Sequence, residues 1–285
     1  MTECTCLFDA PNVTKDSYDV SDCNFCKNQY ALRMQKTLTN QAVLITGGSR
    51  GIGKAIAIRL AQMGANILIN FVRNEDAAIK TADEIRKLGA RAEIFQGNAG
   101  DPKDIDLMIH KTIETFGRLD ILIHNAALGA FKPVHKLKMN QWELSMDINA
   151  KALLLLTQKA LPQMEKQGSG NILTISSLGS QRYIPNYGAI GISKSAVESL
   201  VRYLAVELAS KNIRVNCISG GLVDTDAVKS FPQYDEFRNE VITRTPTGRI
   251  GEPDDIARVA AFLASPESSW IVGQTIVADG GLSLI

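Results

Sequence analysis

"AVLITGGSRGIGKAIAIRLAQMG", residues 42–64, decides the fold. "AVLIT" (42–46) is a short apolar run typical of a buried strand, and in "GIGKAIAIRLAQMG" the apolar residues recur at helical spacing. Between them, "TGGSRGIG" (46–53) carries Gly47, Gly51 and Gly53 in the spacing G-x3-G-x-G. Glycines at such a turn let the backbone bend sharply and approach a pyrophosphate, which the free N–H groups of the helix N-terminus stabilise. Strand, glycine turn and amphipathic helix, in that order, predict the first unit of a dinucleotide-binding α/β fold.

The rest of the chain repeats the unit. "NILINF" (66–71) is a second strand, followed by "EDAAIKTADEIRKLG", in which acids come first and Arg86 and Lys87 last, as a helix dipole prefers. "AEIFQ", "LDILIH", "NILTIS", "IRVNCIS" and "QTIVA" continue the strand series, and helices are expected at about 101–116, 141–166, 188–209 and 253–264. Strands separated by helices of this length pair in parallel through right-handed crossovers. The expectation is a single Rossmann-type, doubly wound parallel sheet of about seven strands with helices on both faces. It occupies residues 41–285, with a lid at about 226–245, and residues 1–40 form an extension.

With 285 residues, 45% of them hydrophobic, the chain can bury a large core. A net charge of +1, from 31 basic and 30 acidic side chains, gives no support for a nucleic-acid or membrane-surface partner. Apolar runs are too short to span a bilayer, and the first thirty residues lack the core of a signal peptide, so a cytoplasmic protein is expected. Cys4, Cys6, Cys23 and Cys26 form a C-x-C and a C-x2-C pair, readable either as one zinc site or as reduced thiols on a polar extension. Met34 opens "MQKTLTNQAVLITGG", which reads as a complete start, so the preceding residues are either an appendage or untranslated. His110, His124 and His135 lack metal-ligand spacing, and no metal is expected in the α/β unit.

The second strand's end indicates which dinucleotide. An NAD site places an acid there to accept from the ribose 2′-OH, whereas "NFVRNE" (70–75) offers Arg73. Arg50, in the glycine turn, supplies a second cation, and two arginines at one ribose favour NADPH. Otherwise Arg73 is a solvated loop residue. Glu75, two positions on, begins the next helix.

Several further motifs together resemble the short-chain dehydrogenase/reductase family across residues 41–285: the T-G-x3-G-x-G turn, "HNAA" (124–127), "GNAGD" (97–101), "MDINAKA" (146–152), "ISS" (175–177), "SGGLVDTDA" (219–227) and "ADGG" (278–281). The resemblance implies a cofactor site of Gly47, Ser49, Arg50, Gly51, Ile52 and Gly53 at the pyrophosphate, with Arg73 at the ribose. It adds Asn98 and Ala99 at the adenine, Asn125, Ala126 and Ala127 along the riboses, and Lys194, Gly220, Gly221, Val223 and Thr225 about the nicotinamide. Ser177 and Asn149 take the family's catalytic-serine and proton-relay positions, Asn149 being read equally well as structural. Gly220 stands where the family has proline, which permits a different backbone course.

The family's Y-x3-K is absent: Ile190 stands four residues before Lys194, and Tyr187 stands seven before it. Y-x6-K marks the enoyl-acyl-carrier-protein reductases within the family, and "ISSLGSxRYxxNYxxxGxSK" with "SGGxxDTDAxxxFP" most resembles their type III. Seven residues is nearly two helical turns, which moves the tyrosine by about 4.5 Å along the axis relative to a spacing of four, if the helix already runs there. In ketone reduction the oxygen needing a proton is bonded to the carbon receiving hydride. In enoyl reduction charge appears on the thioester oxygen at the far end of the conjugated system, so a displaced phenol suits the enoyl case. The reading implied is NADPH-dependent reduction of the 2,3 double bond of trans-2-enoyl thioesters, in fatty-acid or polyketide-type biosynthesis. Tyr187 donates to the developing enolate and Lys194 lowers its pKa, while Ser177 adds a hydrogen bond or orients Tyr187. Tyr183, two residues ahead of Pro185, belongs to a loop.

In "DAVKSFPQYDEFRNEVITRT" (226–245), Val228, Phe231, Phe237 and Val241 either line an acyl tunnel or pack a helix. Lys229, Arg238, Arg244 and Arg249 either attract an acidic carrier or form a solvated face. The acyl group rides on an acyl carrier protein or on coenzyme A, and the family resemblance implies a homotetramer. The alternatives are a 3-oxoacyl or other carbonyl reductase, and a non-catalytic NADPH-binding regulatory protein.

Overall fold

A computed structural model describes residues 37–230 and 233–285. Cys4, Cys6, Cys23, Cys26, Met34 and Phe231 lie outside them. Seven strands make one parallel sheet: β1 (Ala42–Thr46), β2 (Asn66–Phe71), β3 (Ala92–Gln96), β4 (Ile121–His124), β5 (Gly170–Ser177), β6 (Ile213–Gly220) and β7 (Thr275–Ala278). Their order is β3-β2-β1-β4-β5-β6-β7. The order reverses between β1 and β4, and the strand ends there open the crevice in which such sheets bind ligands.

Strand alternation divides the core between the two faces. Val43 and Ile45 of β1 point to one side, with Ile56 and Leu60 of α1 (Gly51–Gln62) and Ile256 and Ala260 of α8 (Pro253–Ala264). Leu44 points to the other, with Ile105 and Met108 of α3 (Pro102–Phe116), Leu153 and Leu156 of α5 (Ala152–Gln167) and Val197 and Val201 of α6 (Gly188–Ala209). Burial on both faces explains why β1 reads as an unbroken apolar run. α2 (Glu75–Lys87) starts at Glu75, as expected, and is capped by Asn74, whose Oδ1 accepts from Ala77 N at 2.9 Å.

The structure departs from expectation in one place and narrows two open readings. The helix anticipated over 141–166 is two, α4 (Met139–Met146) and α5, joined through a turn of π-helix at Asp147–Lys151. Gly220 does not redirect the chain: it is the last residue of β6, paired with Ser177 on one side and Ala278 on the other. Within residues 226–245 the chain forms a helix, α7 (Tyr234–Arg244).

Candidate active site

The phosphate turn is built by close approach. A Cβ on Gly53 would stand 2.3 Å from Gly47 O and 2.6 Å from Asn125 Nδ2, so only glycine lets the first helical turn settle onto the loop. Arg50, the extended residue before α1, gives that helix no side-chain cap, and no acid occupies its first turn. The N–H groups at the N-terminus of α1 are therefore available to an anion, and the residues present fit the pyrophosphate of a dinucleotide. Thr225, reaching over from the loop after β6, lies against this turn: a Cβ on Gly51 would be 3.2 Å from its Cγ2.

Behind the turn runs a hydrogen-bond network that ties the cofactor side to the reaction side. Asn125 Nδ2 donates to Thr46 O at 3.1 Å and Gly47 O at 2.9 Å. Thr46 Oγ1 accepts from Asn125 N and Ala126 N, both at 3.1 Å, and lies 3.1 Å from His124 Nδ1. Its two lone pairs are engaged, so its proton goes to Nδ1 and the imidazole carries its own proton on Nε2. Nε2 then donates to Asn149 O, 3.1 Å away in the π-turn. Burial pushes the His124 pKa down to about 3, with the Lys194 charge adding to the fall, which keeps the ring neutral. Asn149 Nδ2 donates to Leu128 O at 3.0 Å and Ser193 Oγ at 2.8 Å, while its Oδ1 accepts from Leu128 N at 2.9 Å. That side chain is fully occupied in joining the loop after β4 to α6.

The candidate catalytic groups meet at the end of β5 and the start of α6. Tyr187 immediately precedes the first residue of α6, and its carbonyl accepts from Gly191 N at 2.8 Å. The helix axis thus extends to Tyr187, and the seven residues to Lys194 span about 10 Å along it. The phenol ring lies on the backbone of Gly179, where a Cβ would come within 2.5 Å of Cδ1, and stacks on Phe131 at 6.1 Å between centroids. Ser177 Oγ is buried without a hydrogen-bond partner. Although its geometry falls short of a bond, it sits close enough to Tyr187 to favour ionisation of the phenol slightly. Burial outweighs that influence and raises the Tyr187 pKa above its ordinary value.

The expectation that Lys194 lowers that pKa is corrected here. Lys194 is 3% exposed and its Nζ donates to Ile175 O at 2.6 Å, directed at the β5 backbone. Tyr187 is held as a neutral phenol, a form that donates a proton or a hydrogen bond. Burial brings the Lys194 pKa down to about 8, against the opposing pull of Cys217 and Glu198. Two of its three N–H donors make no bond among the described residues.

The sequence matches the Enoyl-(Acyl carrier protein) reductase family over residues 47–283. It is 36% identical over 247 residues to the 1-cyclohexenylcarbonyl-CoA reductase of Streptomyces collinus, covering 86% of this chain and 88% of that one. The chain is a short-chain dehydrogenase/reductase. It is 34% identical over 242 residues to the 3-oxoacyl-[acyl-carrier-protein] reductase of Staphylococcus aureus, covering 85% of this chain and 98% of that one. A solved 7α-hydroxysteroid dehydrogenase complexed with NADH and 7-oxo glycochenodeoxycholic acid superposes with a TM-score of 0.83 at 37% identity, over 87% of this chain and 96% of that one.

This short-chain reductase is therefore an oxidoreductase of a family that binds a nicotinamide cofactor. The expected cofactor residues gather around one crevice: the turn at Gly47–Gly53, the loops at Asn98 and at Asn125–Ala127, and the strand-end loop Gly220–Thr225. Ser49 is buried, its carbonyl accepting from Thr81 Oγ1 at 3.0 Å, and Ile52 is half-buried. Asn98 Oδ1 accepts from Gly100 N at 3.0 Å, which shapes the loop, and Ala99 is buried beside it. Val223 is buried in a bridge to Gly251. Arg50 and Arg73 are exposed and form no ion pair with a described residue. Tyr183 is 88% exposed in the loop before α6, as its position ahead of Pro185 implied.

On the lid, Val241 lines a cavity of about 190 Å³ with Leu222, Thr245, Ile250 and Gly280, whereas Val228 and Phe237 are half-buried elsewhere. Three of the four candidate bases have acidic partners: Arg249 with Asp255 at 2.7 Å, Lys229 with Asp226 at 3.4 Å and Arg244 with Glu240 at 3.4 Å. Sequence reasoning missed Asn70, whose Nδ2 donates to Gly97 O at 2.8 Å and whose Oδ1 lies 3.4 Å from Gly47 N. It missed Phe131 as well. A polar residue inside the apolar run "NILINF" was the available signal for Asn70; nothing local marks Phe131.

Proposed function

We propose that this short-chain reductase uses NADPH to reduce the 2,3 double bond of trans-2-enoyl thioesters. The carrying observation is the placement of the phenol: Tyr187 caps α6 beside the unpartnered Ser177 hydroxyl, with apolar Ile190 at the four-residue position. The nicotinamide, once bound, supplies the hydride to C3. Tyr187, a neutral donor, hydrogen-bonds the thioester oxygen and gives it a proton as charge develops there, and the enol returns to the carbonyl form with a proton at C2. Ser177 Oγ offers that oxygen a second donor. Lys194 turns its two free N–H groups to the ribose hydroxyls and its charge stabilises the developing anion. Asn149 holds the loop and helix that frame these groups.

Arg50 and Arg73 support NADPH, being exposed cations with no ion pair among the described residues, at the glycine turn and just past β2. Lys132, His135, Lys136 and Lys138 are exposed on the loop that carries Phe131 to Tyr187, which supports a phosphate-bearing carrier, either acyl carrier protein or coenzyme A. The two curated relatives act, by name, one on a coenzyme A thioester and one on a carrier-protein thioester. Exposed apolar side chains on α6 (Tyr203, Val206), α8 (Phe262) and the C-terminal segment (Leu284, Ile285) support a homotetramer. No helix among the described residues is long and apolar enough to cross a membrane, which accords with a cytoplasmic location. Residues 41–285 act as one unit, with 1–40 as an extension.

Similarity to the 3-oxoacyl reductase favours a second reading, reduction of a 3-oxoacyl thioester from the same site. NADPH oxidation measured side by side with crotonyl and acetoacetyl thioesters separates the two. The enoyl reading expects turnover of the crotonyl thioester; turnover of acetoacetyl alone overturns it.

A further inference from the structure

We propose that Glu198 is a positioning residue, a buried carboxylate that clamps the backbone carrying Ser177 and sets its charge one helical turn from Lys194. The inference rests on Ser177, Tyr187 and Lys194 being the reacting groups, and it is indifferent to whether the substrate is an enoyl or a 3-oxoacyl thioester.

Glu198 lies on α6 four residues after Lys194, on the same helical face, and is 6% exposed. Its Oε1 accepts from Ser176 Oγ at 2.6 Å and Ser180 Oγ at 2.5 Å, and its Oε2 from Gln181 Nε2 at 3.3 Å. Those donors flank Ser177 on both sides. Ser180 Oγ also sits 2.8 Å from Ser177 O, and Ser195 Oγ, from the same helix, donates to Ser180 O at 2.6 Å. The segment so fastened is the one that fixes Ser177 at the end of β5 and presents the Gly179 backbone on which the Tyr187 ring lies. Both reacting hydroxyl groups therefore take their position from one carboxylate.

The helix does not need an acid there. Glu198 lies between Val197 and Val201 on the inner half of α6, and a buried carboxylate is costly unless fully hydrogen-bonded and paired. Charged and titratable groups face Lys194 from three elements: Glu198 on its own helix, Cys217 on β6 and His124 on β4. Burial pushes the Cys217 thiol up to about 12 and keeps His124 neutral. Cys217 and Glu198 both raise the Lys194 pKa against the effect of burial, and of the two only Glu198 shares the helix face of Lys194.

The test uses Glu198→Gln, Glu198→Asp and Ser180→Ala, each compared with the unaltered chain on whichever thioester that chain turns over. NADPH Kd is measured against pH by fluorescence in parallel. Glu198→Gln is expected to lower kcat about tenfold and to move the alkaline rise in NADPH Kd to lower pH by about one unit. Asp, which restores the charge but falls short of the serines, should return the pH profile without returning kcat. Ser180→Ala, a half-buried change that removes one clamp donor, should lower kcat severalfold with Kd unchanged. It also keeps the test decisive if the Gln variant does not fold. Unaltered kcat in Ser180→Ala, or an unmoved Kd–pH profile in a folded Glu198→Gln, overturns the proposal. A failure of the enoyl reading would instead show in the unaltered chain, as a preference for the acetoacetyl thioester.

Discussion

The cofactor crevice and the catalytic edge are neighbours with opposite habits. At the crevice nearly every buried polar group has an internal partner: Asn125, Thr46, His124 and Asn149 form one connected network that holds the glycine turn against the π-turn. At the edge, the buried Ser177 Oγ and two N–H groups of the buried Lys194 are without a partner among the described residues, and the Tyr187 phenol is kept protonated. The first arrangement fixes shape, since a satisfied network resists rearrangement. The second leaves unmet hydrogen-bonding capacity where a substrate oxygen can take it up. Unmet polar capacity at Ser177 and Lys194 sets the edge apart from the crevice, although Thr157 Oγ1 and Asn171 Oδ1 are also buried without a partner among the described residues.

The largest test of that contrast is Tyr187→Phe. It removes the donor but leaves the ring on Gly179, so kcat should fall about a hundred- to a thousandfold while NADPH Kd, measured by fluorescence, stays unchanged. Asn125→Ala would strike the opposite side and should weaken cofactor binding with little separate effect on chemistry.

Next in size is an acid weakness of the network itself. The His124 pKa lies near 3 in the fold, against 6.5 when free, so between these values the unfolded chain binds more protons. Stability contributed by the neutral imidazole is complete above pH 6.5 and is lost as pH falls toward 3. Denaturant melts should show a loss on the order of 3 kcal/mol between about pH 6.5 and about pH 4, and His124→Asn should flatten that slope. Smaller still is Gly53→Ala, whose Cβ would stand 2.3 Å from Gly47 O; overpacking of this kind should weaken NADPH about tenfold without altering the substrate ratio. Smallest is Arg73→Ser, expected to reduce the preference for NADPH over NADH severalfold in paired Kd measurements.

The contrast also marks what the sequence could show. Strands such as β3 and helices such as α6 were legible to the residue because buried parallel strands write apolar runs and helices write a period of 3.6. The glycine turn and the Tyr187–Lys194 spacing were legible because each is local. The break at Asp147–Lys151 was not, since a π-turn keeps the apolar pattern of the helices on either side. The roles of Glu198, His124 and Phe131 were not legible because they come from crossovers: β4, β5 and α6 bring residues from distant parts of the chain to one point, and no spacing records it. The direction of the Tyr187 pKa depended on where Lys194 points, which only the fold decides.

The most direct single measurement offers crotonyl and acetoacetyl thioesters together with NADPH deuterated at the transferring position of C4, and identifies the product. Butyryl thioester carrying deuterium at C3, with acetoacetyl left largely intact, is the result expected of a phenol set at the far oxygen of a conjugated system. A deuterated 3-hydroxybutyryl product with crotonyl untouched would contradict it.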